Sequence, residues 1–145
     1  MKAVVQRVRQ TSLYVDGKLV SSIDFGLVVF LGVKQGDREE QVERIAYKIA
    51  NLRIFEDGAG KMNLSVKDVG GEILLVSQFT LCGDCSHGNR PSFSNAEQPE
   101  RAKALYELCA DKLRGHGLTV KQGVFGADMK IQQYNDGPVS IILEI

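Results

Sequence analysis

Apolar and polar residues alternate along much of this chain and switch to a helical rhythm in only two places. Residues 2–8 read as a first strand. Residues 13–23 predict a hairpin, because Asp16-Gly17 tolerates the positive φ angles of a tight turn. Residues 27–33 form a nearly unbroken apolar run bounded by Gly26 and by Gly32 and Gly36, which fits a strand buried on both faces. The first helix is expected to open at Asp37, whose carboxylate can cap free N–H groups, with Glu40 three residues on. Its apolar stripe is Val42, Ile45, Ala46, Ile49 and Leu52.

Next come Arg53-Ile54-Phe55, a polar turn over 56–61 and the segment Met62-Asn63-Leu64-Ser65-Val66. Gly70-Gly71 launches a predicted strand over 72–81. A second helix is expected from Pro99, tolerated in a first turn, with Ala102, Leu105, Leu108, Cys109 and Leu113 inward and an end at 115–117. Three closing strands are predicted over 118–124, 127–134 and 139–145, the last presenting Val139, Ile141, Leu143 and Ile145 on one face. The fold class is therefore α+β: a strand-rich single domain over 1–145, with a mixed or barrel-like sheet and two packed helices.

Composition narrows the function classes. At 145 residues the chain can bury a real core. Lys+Arg and Asp+Glu balance at 18 each, whereas a broad duplex-binding surface normally carries a basic excess. No DNA partner is expected on that ground, although contact with a few nucleotides remains compatible. No stretch approaches the roughly 18 apolar residues of a membrane span, so no membrane is expected. The three cysteines, an odd number, suit a reducing compartment, and the cytoplasm is the expected location.

The chemistry-bearing residues are few. With only His87 and His116 available, a Ser-His-Asp arrangement has little to draw on, and no phosphate loop or dinucleotide fingerprint is present. Cys82-Gly83-Asp84-Cys85 with His87 nearby offers at most half a zinc site, since a structural zinc takes four ligands. Two incidental thiols in a loop are the simpler account, and no metal or cofactor is required by any residue. Ser77-Gln78-Phe79-Thr80-Leu81 closes a predicted strand just before an irregular loop, where hydroxyl and amide groups can line a pocket. Plain strand packing explains the same residue types. Asn135-Asp136-Gly137-Pro138 reads as an ordinary hairpin turn, and Arg90 sits in a basic loop that solvent alone can explain.

Taken together, Ser77-Gln78-Phe79-Thr80-Leu81 and Asn135-Asp136-Gly137-Pro138-Val139 resemble the two signature motifs of the D-aminoacyl-tRNA deacylase family. The resemblance continues in order through Gln6-Arg7-Val8, Gly26-Leu27, Leu31-Gly32-Val33, Arg53-Ile54-Phe55, Gly60-Lys61-Met62-Asn63-Leu64, Gly88-Asn89-Arg90-Pro91-Ser92-Phe93 and Phe125-Gly126-Ala127-Asp128-Met129. It spans nearly the whole chain. Ser140 departs from the Thr usual at the close of the second motif, keeping the hydroxyl and losing a methyl.

The resemblance implies the deacylase-like fold and hydrolysis of the ester joining a D-amino acid, or glycine, to the 3′ end of tRNA. It implies catalysis by the terminal adenosine's own 2′-hydroxyl, with Ser77, Gln78, Phe79 and Thr80 as the catalytic segment that positions the ester. Thr80 as nucleophile is the older possibility, ranked below positioning. It further implies a homodimer in which a cis Gly137-Pro138 reaches into the partner's site and clashes with L side chains. Leu81, Phe125 and Met129 would complete the substrate pocket. The alternative is a non-catalytic nucleic-acid-binding module of the same fold.

Overall fold

The computed structural model describes residues 1–145. Its elements run β1 (Lys2–Val15), β2 (Lys18–Gly32), α1 (Glu39–Asn51), β3 (Phe55–Glu56), β4 (Met62–Leu64), β5 (Glu72–Ser77), a 3₁₀ turn (Phe79–Cys82), α2 (Pro99–Gly115), β6 (Val120–Gln122) and β7 (Lys130–Glu144). Five strands form one mixed sheet in the order β6-β5-β2-β1-β7, while β3 and β4 make a small separate ribbon. β1 runs antiparallel to both β2 and β7; β5 runs parallel to β2 and to β6. The strand-rich α+β class with a mixed sheet and two helices is what the sequence predicts.

Several strand segments that look separate in the sequence are pieces of longer strands. Residues 2–8, 13–23 and 27–33 belong to a single long hairpin, with Asp16 and Gly17 at φ 49° and 75° in its turn. Bends rather than breaks divide it. Gln10 sits at φ 46°, and Gly26 at φ 144° lies so close to the Glu72 backbone that any side chain would overlap it.

The sheet is buried on both faces at its centre. Leu27, Val29, Leu31, Ile73 and Leu75 join the helices in a core of 25 residues, and Val28, Leu74 and Val76 enter a smaller cluster of 6 on the other face. The unbroken apolar run of β2 follows from this position between two apolar layers. Val139, Ile141, Leu143 and Ile145 pack together on the larger core.

Four expectations are corrected. First, α1 starts at Glu39 and is capped at Arg38, whose N–H donates to the Gln41 side chain at 2.9 Å. Asp37 is engaged elsewhere, accepting hydrogen bonds from the Met1 amino group at 2.8 Å and the Lys34 N–H at 2.7 Å. Second, the strand predicted over 72–81 stops at Ser77, because Gln78 adopts φ −145° and ψ 79° and turns the chain into the 3₁₀ segment. Third, no hairpin turn forms at 135–138. The predicted strands over 127–134 and 139–145 are one strand, β7, interrupted by a wide bulge: Val8 pairs with Asn135 and Gln6 with Ser140, leaving Arg7 opposite residues 136–139. The Gly137-Pro138 peptide within it is cis. Fourth, the closing segment 118–124 contributes only the three residues of β6.

Candidate active site

The Ser77–Thr80 segment owes its shape to the end of a parallel strand. The Gln78 N–H still donates to Leu31 O of β2 at 2.8 Å, after which the chain leaves the sheet. Phe79 and Thr80 open the 3₁₀ turn, where backbone N–H groups have no partner in the preceding turn. The Gln78 amide donates to Thr80 Oγ1 at 2.5 Å. Phe79 is 58% exposed and meets Phe93 edge-on at 5.1 Å. Thr80 Oγ1 has the Gln78 amide as its partner and no histidine: His116 packs against Tyr47 at 6.1 Å, and His87 is exposed on its loop.

Beside this segment opens a cavity of about 490 Å³. Ser77, Gln78 and Phe79 line it together with Phe125 and Met129, so five of the nine predicted site residues share one wall. Thr80, Leu81, Gly137 and Pro138 do not line it. Leu81 is half-buried and packs toward Gly32, where an added Cβ would stand 3.0 Å from its own.

The sequence reading missed Tyr106 and Glu97. Tyr106 belongs to the buried stripe of α2, one helical turn after Ala102, and that spacing was the available signal. Its hydroxyl donates to Leu75 O at 2.8 Å, and burial pushes its pKa up to about 12, which keeps it neutral. Glu97 lies within 3.4 Å of Arg101. Glu97 and Asp128 are the charged residues of the lining, which contains no Lys, Arg or His.

Gly137-Pro138 stands at the sheet edge, exposed and away from its own chain's cavity. Arg7 anchors the bulge. Its guanidinium is buried and donates to Asp136 O at 2.8 Å and to Ile54 O at 2.7 Å. Ser140 retains a hydrogen bond, accepting from the Gln6 amide at 3.1 Å.

Cys82 is buried with its thiol on Val33 O at 3.4 Å, Cys85 is exposed, and no three His, Cys, Asp or Glu side chains gather in a metal-holding arrangement.

The mixed sheet, its two helices and a mostly apolar cavity with three aromatic rings, one amide and no Lys, Arg or His define a small α+β protein with a pocket beside the end of β5. A family profile described as D-Tyr-tRNA(Tyr) deacylase matches residues 4–144. A relative from Brevibacillus brevis named D-aminoacyl-tRNA deacylase is 56% identical over 144 residues, covering 99% of each chain. The solved structure of a protein named c-Myc DNA Unwinding Element Binding Protein aligns with TM-score 0.92 at 45% identity, covering 100% of this chain and 99% of that one. A structure described as a probable eukaryotic D-amino acid tRNA deacylase shares the fold at TM-score 0.85 and 17% identity, covering 99% and 98%. This chain belongs to the D-Tyr-tRNA(Tyr) deacylase family.

Proposed function

We propose that this chain is a carboxylic ester hydrolase that cleaves D-aminoacyl-tRNA, releasing the D-amino acid and free tRNA. Family membership over residues 4–144 supports the activity. The observation that carries the site is the meeting of Ser77, Gln78 and Phe79 with Phe125 and Met129 around one cavity. Both segments belong to the family resemblance, and about 50 residues separate them in the chain.

The chemistry follows from the family resemblance and from the segment that turns at the cavity's edge. Water adds to the ester carbonyl, the carbonyl oxygen becomes an oxyanion, and collapse expels the ribose oxygen with a proton. The backbone N–H groups of Phe79 and Thr80 receive the oxyanion. As the family resemblance implies, the ribose 2′-hydroxyl beside the ester moves the proton, and the lining holds no His, Lys or Arg for that task. Holding the reacting atoms together supplies up to about 7–11 kcal/mol of barrier lowering.

Chiral selection comes from the partner protomer. The bulge with Gly137-Pro138 enters the partner's cavity and occupies the space that an L side chain needs. Glycine has no side chain to exclude, so glycyl-tRNA is also cleaved. Two features support the pairing: the outer edge of β7 has no neighbour in its sheet, and Ile142 on it is 66% exposed. No helix is long and apolar enough to cross a membrane, and the proposed setting is the cytoplasm.

A nucleic-acid-binding role without catalysis is the second reading, favoured by 45% identity to a protein named for binding a DNA element. Deacylation of D-tyrosyl-tRNA and L-tyrosyl-tRNA with chelator present separates the two. Rapid loss of the D ester alone is expected. Cleavage of neither, with tRNA still bound, establishes the second reading instead.

A further inference from the structure

A tRNA carries a phosphate at every nucleotide, yet the cavity walls carry only the acids Glu97 and Asp128 among charged residues. Phosphate contacts therefore have to lie outside the cavity. The face where α1 and α2 pack together holds a second, more open hollow of about 520 Å³. Four of its six lining residues are basic: Arg44, Lys48, Lys112 and His116. The fifth is Tyr47, 58% exposed and set edge-on against His116. The sixth, Glu43, pairs with Lys112 at 2.7 Å, so those two charges offset each other and Arg44 and Lys48 remain without a counter-charge.

Arg44 and Lys48 make no ion pair and sit one turn apart on α1. The helix dipole accounts for cations in the last turns, such as Lys48 and Lys112. It accounts neither for Arg44 in mid-helix nor for a largely bare tyrosine in the same hollow. A ring beside paired cations suits a ribose–phosphate backbone, with the charges on phosphate oxygens and the ring against a sugar.

Position fits the same partner. Tyr106 borders the cavity and His116 borders the hollow, and ten residues of α2 separate them, about 15 Å of helix. That is a reach of a few nucleotides along one strand.

We infer that the α1–α2 hollow is a second RNA-binding site, in which Arg44, Lys48 and Tyr47 grip the acceptor-arm backbone of the tRNA whose 3′ end occupies the cavity. This rests on the deacylase reading for its substrate. The site adds affinity for tRNA without touching the ester, so it acts on KM and leaves kcat alone.

The test compares the wild-type enzyme with an Arg44→Gln/Lys48→Gln double variant on two substrates, D-tyrosyl-tRNA and 3′-O-D-tyrosyl-adenosine. The variant is expected to raise KM for the tRNA ester about tenfold with kcat unchanged, and to lower the salt slope of log kcat/KM by about 2. Hydrolysis of the adenosine ester should not change. Tyr47→Phe should behave as wild type and Tyr47→Ala should raise KM. An unchanged KM for the tRNA ester, or an equal loss on both esters, overturns the inference. Should wild type cleave neither ester, the deacylase reading fails by itself. Binding of uncharged tRNA then decides the hollow: weakened by the double variant if the site is real, equal to wild type if it is not.

Discussion

Thr80 illustrates how one side chain separates two mechanisms. Its hydroxyl already accepts from the Gln78 amide, and no histidine stands ready to take its proton. A nucleophile needs such a base; a spacer does not. Thr80→Ala should therefore keep its turnover of D-tyrosyl-tRNA within about fivefold, a change of about 1 kcal/mol. Single-turnover kinetics check this, and a loss of several orders of magnitude would restore the covalent route. Gly137 makes the opposite case. At φ 131° its backbone favours glycine, and an added Cβ would come within 2.9 Å of the Val139 side chain and 3.0 Å of the Arg7 guanidinium. Gly137→Ala should displace the bulge and cut the D-ester rate tenfold or more, about 1.4 kcal/mol at least. Far-ultraviolet circular dichroism should stay unchanged, since the bulge lies outside both helices.

At the scale of elements, α2 serves both as core wall and as cavity wall, and Tyr106 is where the two duties meet. Leu75 O receives both the Tyr106 hydroxyl at 2.8 Å and the Gly123 N–H at 3.0 Å, tying α2 and the residues after β6 to the same strand. Because that carbonyl keeps one donor when the hydroxyl goes, Tyr106→Phe should cost only about 1 kcal/mol, near 3 °C in melting temperature. Calorimetry measures that directly. The elements themselves were largely legible. Helical spacing found the buried stripes of α1 and α2, and the apolar run of β2 announced a strand between two layers. What stayed illegible was continuity. Gly26 and the residues 135–138 look like punctuation, because Gly, Pro and Asn mark turns in any sequence. Only pairing with Glu72 and with β1 shows that the strands bend there and continue. The cavity was half legible for a related reason. Ser77, Gln78, Phe79, Phe125 and Met129 lie in recognisable motifs, whereas the spacing that buries Tyr106 on α2 does not say which cavity it borders, and Glu97 reaches the cavity from the loop before that helix.

The whole molecule carries a pH signature. Burial pushes the Cys109 thiol up to about 12 from 9.0, and the Tyr106 phenol to about 12 from 10.0. Both groups are neutral when folded and ionise more readily in the unfolded chain. Their contribution to stability is therefore complete below pH 9 and is lost progressively as pH rises toward 12. Urea unfolding midpoints should hold steady from neutrality to pH 9 and then fall. A flat profile up to pH 11 would contradict the burial of both groups.

The first strand and the last are neighbours: Lys2 pairs with Glu144, and the register runs inward from there to Tyr14 with Lys130. β1 precedes β7 by more than a hundred residues and cannot gain its second neighbour until β7 has left the ribosome. Contacts of such long sequence separation form slowly, because a loop spanning nearly the whole chain must close before they are rewarded. A growing chain thus carries one edge of β1 bare until β7 emerges, exposed to other strands. Completion of this sheet waits on translation of β7.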